Sequence, residues 1–139
     1  MGGRLTVDLL IDSSVIIAGE RGDAGLGRVA ADAASVAISA ATVAELWKGV
    51  ERADTASRRS RRAALCERVL SQVDVLDLDT DTALVLARLW ADLERAGTPL
   101  AAFDLVIAAT ALAHGRALAT FDSDFAVVPD LALVPLGAG

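Results

Sequence analysis

Apolar residues recur along the chain as short runs separated by longer stretches with helical spacing. The runs Val7 to Ile11, Val36 to Ile38, Val73 to Leu78, Arg116 to Thr120 and Leu131 to Val134 predict strands. Parallel strands need crossover connections, and helices usually make them. The alternation therefore predicts an α/β fold in three layers, with a mostly parallel sheet of about five strands flanked by helices.

Six helices are predicted between or beside these runs. They comprise a segment through Ile17 capped by Asp12-Ser13-Ser14, then Leu26 to Ala33, about Thr42 to Val50, about Ser57 to Ser71, a helix ended by Gly97-Thr98-Pro99, and Ala101 to His114. The buried face of the fifth helix is predicted from Ala83, Leu86, Ala87, Trp90 and Leu93. This pattern puts Trp90 in the core or in a dimer interface.

Length and composition fit one domain over residues 1–139, with short flexible ends at about 1–4 and 136–139. The chain is 54 % hydrophobic, and no apolar run approaches the roughly 18–20 residues that span a bilayer. It has one cysteine and no basic-then-apolar leader, which excludes an intramolecular disulfide and favours a reducing setting. We therefore expect a cytoplasmic protein that does not span a membrane.

Charge is distributed unevenly along the chain. The formal net charge is −6, but residues 48–68 hold seven basic against three acidic side chains, so this segment is +4 and the remainder is −10. The candidates for RNA contact here are Lys48, Arg58, Arg59, Arg61 and Arg62. Two interpretations stay open, a solvated helix start or loop and a patch that contacts phosphates.

Carboxylates follow the predicted strands or begin the helices beside them. Asp12 closes the first strand, Asp122 and Asp124 follow the strand ending near Thr120, and Glu45 and Asp104 lie early in helices. Ligands of parallel sheets bind beyond the carboxyl ends of the strands. Clustered carboxylates repel one another unless a cation compensates, and Mg²⁺ or Mn²⁺ prefers oxygen ligands. The pattern therefore indicates a divalent metal site.

Each acid also has a purely structural interpretation. Asp12 is placed to cap the following helix, and Thr42 to Glu45 has the spacing of a capping box. Asp104 is placed to favour a helix dipole, and Asp122-Ser123-Asp124 has turn composition. Their joint occurrence at one predicted sheet edge favours the metal site.

Four segments resemble, in order and over nearly the whole chain, the motifs of PIN-domain ribonucleases. The resemblance is greatest to the VapC toxin type of type II toxin–antitoxin systems. The segments are Leu10-Ile11-Asp12-Ser13-Ser14, Thr42-Val43-Ala44-Glu45-Leu46, Asp104-Leu105-Val106-Ile107-Ala108-Ala109-Thr110-Ala111 and Ala119-Thr120-Phe121-Asp122-Ser123-Asp124-Phe125. The combination is specific, although each motif alone is weak.

The resemblance implies Mg²⁺-dependent endonucleolytic cleavage of RNA by a metal-activated water, with Mn²⁺ as a possible substitute. By position, Asp12, Glu45, Asp104 and Asp122 match the family's catalytic, metal-holding acids, and Asp124 is an auxiliary ligand candidate. Which of Asp122 and Asp124 faces the metal stays open. Ser14 and Thr120 match small hydroxyl positions that orient the acids. The family also implies a homodimer and a VapB-type antitoxin that covers the acidic site.

Other classes fit the sequence less well. A receiver-type phosphoacceptor domain would need a lysine after a late strand, and the only lysine is Lys48 in an early helix. A haloacid-dehalogenase-like phosphatase would need an aspartate where Ser14 stands. A non-catalytic PIN-fold module that binds a partner without cutting RNA remains the alternative function.

Overall fold

The structure is a computed structural model that describes residues 7–20, 27, 30, 31 and 33–136. Its strands are β1 (Val7–Ile11), β2 (Ala33–Ser39), β3 (Asp74–Leu76) and β4 (Ala117–Ala119). Its helices are α1 (Ser13–Glu20), α2 (Ala40–Glu51), α3 (Ala56–Gln72), α4 (Thr80–Ala96) and α5 (Ala102–Ala113), followed by the 3₁₀ helix Ser123–Val127. Within these residues no helix is long and apolar enough to cross a membrane.

The four strands form one parallel sheet in the order β3-β2-β1-β4. The chain first builds outward from β1 to β2 and β3, and then returns to place β4 on the other side of β1. The strand order therefore reverses between β1 and β4. Open parallel sheets bind their ligands at such a reversal, beyond the carboxyl ends of the strands.

Helices cover both faces of the sheet, as the sequence predicted. Leu10 and Leu118 face one core, which α4 and α5 complete with side chains such as Leu93 and Ile107. The neighbouring strand residues point the other way, because side chains alternate along a strand. They form a second core with α1, α2 and α3, composed of Ile11, Val15, Ile16, Ile38, Leu46, Val50, Cys66, Val69 and Ala119.

The prediction of about five strands is slightly too high for the described part of the chain. Leu131 to Val134 runs beside β4 but forms only an isolated bridge, Leu118 to Leu133. Proline brackets this segment at positions 129 and 135, and a proline has no N–H to donate to a sheet. The strand predicted from Val73 to Leu78 shortens to Asp74–Leu76, because Val73 is the C-cap residue of α3.

The buried face of α4 differs from the predicted stripe. Trp90 is 54 % exposed, so it does not belong to the core, whereas Thr82, Leu89 and Leu93 are buried. The predicted stripe is right at Leu93, which is buried, and at Leu86, which packs against the first core, but it is wrong at Ala83, Ala87 and Trp90, which are exposed. Trp90 therefore stays a candidate for a dimer interface.

Some predictions fall outside the described residues. The helix predicted from Leu26 to Ala33 lies largely outside them, and Ala33 itself begins β2. The same holds for the flexible ends predicted at residues 1–4 and 136–139, except for Leu136, which packs against the second core.

Two glycines with different backbone conformations test how conformation determines the effect of a substitution by alanine. Gly97 ends α4 with a φ of 74°, a conformation that disfavours any side chain, while Gly49 lies inside α2 with open space where the methyl group of an alanine would project. We expect Gly97→Ala to lower the free energy of unfolding by about 1 kcal/mol or more, and Gly49→Ala to raise it by about 0.5–1 kcal/mol. Urea unfolding of both variants measures the difference, and equal shifts of the same sign would contradict it.

Candidate active site

Asp12 lies just beyond β1, at the point where the strand order reverses, and is only 5 % exposed. Its Oδ1 accepts a hydrogen bond from the Ser13 backbone N–H at 2.8 Å. Its Oδ2 accepts hydrogen bonds from Ser14 Oγ at 2.9 Å and from Thr120 Oγ1 at 2.7 Å. Three donors therefore fix the orientation of this carboxylate.

Ser14 and Thr120 connect the end of β1 to the end of β4. Ser14 Oγ accepts a hydrogen bond from the Phe121 N–H at 3.0 Å, and Thr120 Oγ1 accepts one from the Asp122 N–H at 2.9 Å. Each hydroxyl thus donates to Asp12 and accepts from the backbone that leads to Asp122. These contacts place both hydroxyls against Asp12, and the orienting role that the resemblance implies for them stays a prediction.

Asp104, Asp122 and Asp124 bring one carboxylate oxygen each within 4.8 Å of one another. Asp122 Oδ1 accepts a hydrogen bond from the Asp124 N–H at 2.9 Å, which caps the 3₁₀ helix. The turn interpretation of this segment therefore holds together with the clustering. Both aspartates, rather than one of them, lie beside Asp104.

Glu45 does not belong to a capping box. The N-cap of α2 is Ser39, whose Oγ accepts a hydrogen bond from the Ala41 N–H at 3.0 Å, so Thr42 and Glu45 lie inside the helix. The capping box expected here is thus wrong, because the helix begins earlier than the sequence indicated. Glu45 instead accepts a hydrogen bond from Ser13 Oγ at 3.4 Å. The role of Ser13 was missed, although its place directly after Asp12 was a signal.

Five carboxylates lie close enough to affect one another's pKa values, and we call them the acidic group: Asp12, Glu45, Asp104, Asp122 and Asp124. Partial burial, together with Asp122, Asp12 and Asp124, raises the pKa of Asp104 from about 3.8 to about 6. Partial burial, together with Asp12 and Asp104, also raises the pKa of Glu45, and the Ser13 hydrogen bond and Lys48 oppose that rise. Like charges this close favour a bound cation.

The donor set of the group fits a hard divalent cation. It consists of carboxylate and hydroxyl oxygens, and the tight triad of Asp104, Asp122 and Asp124 includes no histidine or cysteine. Mg²⁺ and Mn²⁺ prefer oxygen ligands, whereas zinc sites usually include nitrogen or sulfur. Asp104 contributes no cap to α5, whose N-cap is Ala101 without a side-chain hydrogen bond, although its place in the first turn also suits the helix dipole.

The predicted basic residues lie on α2 and on the first half of α3, which begins at Ala56. Arg58 pairs with Asp54 at 2.8 and 3.0 Å, and Arg62 donates to the Gly49 carbonyl at 2.8 Å. Arg59 approaches the Glu51 carbonyl at 3.5 Å. A cavity of about 410 Å³ is lined by Glu45, Lys48, Gly49, Arg52 and Arg62. The structure thus brings part of the basic segment next to Glu45.

Comparison with known proteins shows the family. A model of the PIN domain matches residues 9–131. The chain belongs to the PIN domain family. Among curated relatives, Ribonuclease VapC1 of Rickettsia felis is 30 % identical over 131 residues, which cover 94 % of this chain and 97 % of the relative. Ribonuclease VapC5 of Mycobacterium tuberculosis is 35 % identical over 127 residues, covering 91 % and 92 %.

Solved structures agree with this family assignment. A VapBC-5 toxin–antitoxin structure from Mycobacterium tuberculosis has a TM-score of 0.73 at 33 % identity, covering 91 % of this chain and 94 % of the other. DNA-bound VapBC from Salmonella typhimurium has a TM-score of 0.82 at 26 % identity, covering 93 % and 98 %. The predicted PIN fold and the resemblance to the VapC type are confirmed.

Partial burial of Asp104 and repulsion by its neighbouring acids predict an unusual pH dependence of stability in the metal-free protein. Because the folded pKa of about 6 exceeds the ordinary value of about 3.8, the folded state retains a proton between these values that the unfolded state releases. The contribution of Asp104 to stability therefore falls as pH rises through this window. We expect the melting temperature of Asp104→Asn, measured in EDTA, to rise relative to wild type between pH 4 and pH 7.

Asp77→Asn is the matched control, because it removes an exposed carboxylate in the loop after β3. Its melting temperature should follow that of the wild type across the same range. If Asp104→Asn also runs parallel to the wild type, the carboxylates do not repel one another as their arrangement indicates.

Proposed function

We propose that this protein is an endoribonuclease of the VapC type that cuts RNA at the carboxylate group around Asp12 and Asp104, with Mg²⁺ as the cofactor and Mn²⁺ as a possible substitute. The observation that supports the site most directly is the convergence of Asp104, Asp122 and Asp124 within 4.8 Å, next to the fixed Asp12. Curated relatives that match almost the whole chain are named as ribonucleases.

The surroundings of the carboxylates suit them to different roles. Asp12, Asp104, Glu45 and Asp122 are the proposed catalytic acids and metal ligands, and Asp124 is a further ligand. When bound, the divalent ion supplies a Lewis acid that activates water and stabilises charge on the phosphate. Asp12 offers a rigid carboxylate because three donors orient it, whereas Asp104 gives up its proton readily once positive charge is near.

Ser14 and Thr120 are positioning residues in this proposal. Each donates a hydrogen bond to Asp12 Oδ2, and each accepts a hydrogen bond from a backbone N–H of the segment that carries Asp122. They thereby fix the distance between the acid after β1 and the acid after β4. Removing a hydrogen bond that orients a metal ligand commonly lowers metal affinity by about 10–100-fold.

The complete acidic group argues against a non-catalytic interaction module. Carboxylates that repel one another lower the stability of the metal-free protein, and a bound catalytic cation would offset that loss. A further relative, from Salmonella typhimurium, is named tRNA(fMet)-specific endonuclease VapC and is 35 % identical over 83 residues, which cover 60 % of this chain and 61 % of the relative. RNA is accordingly the proposed substrate.

The proposed partners are a VapB-type antitoxin and a second copy of the chain. Similar solved structures are named as VapBC complexes, which supports the antitoxin. Leu84 and Trp90 are 66 % and 54 % exposed on α4, and large apolar side chains exposed in this way suit contacts in a homodimer. RNA as the substrate implies that the protein acts in the cytoplasm.

Cleavage of a mixed pool of structured RNAs tests the function. We expect the wild type to cut with Mg²⁺ or Mn²⁺ and not with EDTA. Asp104→Asn should abolish cutting while remaining folded, and Glu45→Gln should lower the rate by about tenfold or more, because both remove a charge that the cation requires. The rate is measured from the loss of full-length RNA on a denaturing gel.

Asp77→Asn again serves as the control, since Asp77 is exposed and is neither in the acidic triad nor among the groups that shift the pKa of Asp104 or Glu45, and it should cut at the wild-type rate. A wild type that binds no divalent ion and cuts none of the RNAs would refute the nuclease and favour the interaction module.

Substitutions at Thr120 test how Asp12 is positioned without changing any of the proposed metal ligands. Thr120→Val keeps the shape but removes the hydroxyl that bonds to Asp12 and Asp122, so we expect about tenfold weaker Mn²⁺ binding by calorimetry. The free energy of unfolding should fall by about 1–2 kcal/mol. Thr120→Ser keeps the hydroxyl and should bind Mn²⁺ like the wild type; equal losses in both variants would show that packing, not hydrogen bonding, is responsible.

A further inference from the structure

Glu45 is held in the acidic group much more loosely than Asp12. Asp12 accepts hydrogen bonds from three donors, whereas within the described residues the Glu45 carboxylate accepts one, from Ser13 Oγ. That bond is 3.4 Å long, beyond the distance of about 2.5–3.0 Å that is usual between a hydroxyl and an acceptor oxygen. The place of the Glu45 carboxylate in the acidic group therefore depends on one long contact.

The charges around Glu45 draw its carboxylate away from the acidic group. Asp12 and Asp104 repel it, and Lys48 attracts it. Lys48 follows Glu45 by three residues on α2, a spacing at which helical side chains are neighbours. Lys48 forms no ion pair or hydrogen bond with any described residue, so its ammonium is available to a carboxylate. Without a restraint, Glu45 would turn toward Lys48.

The structure leaves room for this second position of Glu45. Both Glu45 and Lys48 line the cavity of about 410 Å³ between α2 and α3. Arg62 also lines this cavity, but the Gly49 carbonyl holds its guanidinium at 2.8 Å. The Glu45 carboxylate can therefore approach Lys48 without displacing a packed side chain.

Ser13 opposes this movement from a fixed place in the chain. It is the first residue of α1, and its backbone N–H donates a hydrogen bond to Asp12 Oδ1 at 2.8 Å. Its Oγ donates to Glu45, which lies 32 residues further along the chain. Ser13 thus contacts two acids through separate atoms and sets the separation between them. Ser14 serves a different pair, since its Oγ connects Asp12 to the backbone after β4.

We propose that Ser13 is a positioning residue that keeps the Glu45 carboxylate in the acidic group against the attraction of Lys48. Ser13 contacts neither the cation nor the RNA in this proposal, and it acts only through Glu45. The inference rests on the proposed ribonuclease function, because it is the divalent cation that needs Glu45 in this place.

Crystal structures of the metal-free protein, grown in EDTA, test the position of Glu45 directly. Ser13→Ala should leave α1 intact, because alanine favours a helix. The Glu45 carboxylate of this variant should lie beside the Lys48 ammonium, within about 4 Å, the distance of an ion pair. Ser13→Thr keeps the hydroxyl and should keep Glu45 in the acidic group. A Glu45 carboxylate that stays in the acidic group of Ser13→Ala would overturn the proposal.

Calorimetry of Mn²⁺ binding tests the consequence for the cation. Ser13→Ala should weaken binding by about tenfold, whereas Ser13→Thr should bind like the wild type. Ser71→Ala is the matched control, because Ser71 Oγ also donates a hydrogen bond, to the Arg68 carbonyl at 2.7 Å near the end of α3. It should bind Mn²⁺ like the wild type. Equal losses in Ser13→Ala and either of the other two variants would contradict a role for the Ser13 hydroxyl.

Two double variants show whether Ser13 acts through Glu45. In a Glu45→Ala background, Ser13→Ala should cause no further loss of Mn²⁺ affinity, because no carboxylate is left to position. In a Lys48→Met background, the loss caused by Ser13→Ala should be much smaller, because the competing charge is gone. If Ser13→Ala causes the same loss in both backgrounds as in the wild type, Ser13 acts on the cation or on Asp12, and the proposal is wrong.

Failure of the proposed function would be recognised separately. It would show as a wild-type protein that binds no divalent ion and cuts no RNA, whereas the crystal structures contain no divalent ion and still decide where Glu45 lies. If the wild type cuts RNA with Mg²⁺ while Ser13→Ala changes neither the position of Glu45 nor the Mn²⁺ affinity, the ribonuclease stands and the role of Ser13 is refuted.

Discussion

Crowding of carboxylates at the reversal between β1 and β4 is the constraint around which this structure is arranged. Partial burial, together with the nearby Asp122, Asp12 and Asp124, raises the pKa of Asp104 to about 6. Such an arrangement lowers the stability of the metal-free fold, so the rest of the molecule must offset it. The offset comes from two well-packed cores, one on each face of the sheet, and from hydrogen bonds that are concentrated on Asp12.

The parallel sheet explains why acids from distant parts of the sequence meet. Asp12 and Asp122 extend from neighbouring strand ends, while Glu45 and Asp104 lie on helices that pack on opposite faces of the sheet. Each residue is held by a different element, so no single loop has to position the whole group. Ser14 and Thr120 then join the two strand ends through a shared carboxylate, which makes the site more rigid than its surface position suggests.

The clustering of the acids was predictable from the sequence because their position depends on local features. An apolar run followed by an aspartate marks a strand end, and parallel strand ends share an edge. Predictions that depended on long-range packing were less accurate. The buried face of α4 was misplaced at Trp90, because several faces of that helix are apolar and only the contact with α5 selects one. The helix start at Ala40 was missed because Ser39, rather than Thr42, is the cap.

The basic segment, residues 48–68, shows the same limit more clearly. The arginines were visible as a charge run, but sequence could not distinguish Arg58, neutralised by Asp54, from Arg61, which is unpaired among the described residues. That difference depends on side-chain geometry and on how α3 packs against α2. It would also allow a protein of net charge −6 to accept a phosphate of the proposed RNA substrate. Charges separated by more than about 8–10 Å are screened at physiological salt, so the phosphate responds to the arginines and any cation beside it rather than to the total charge of the chain.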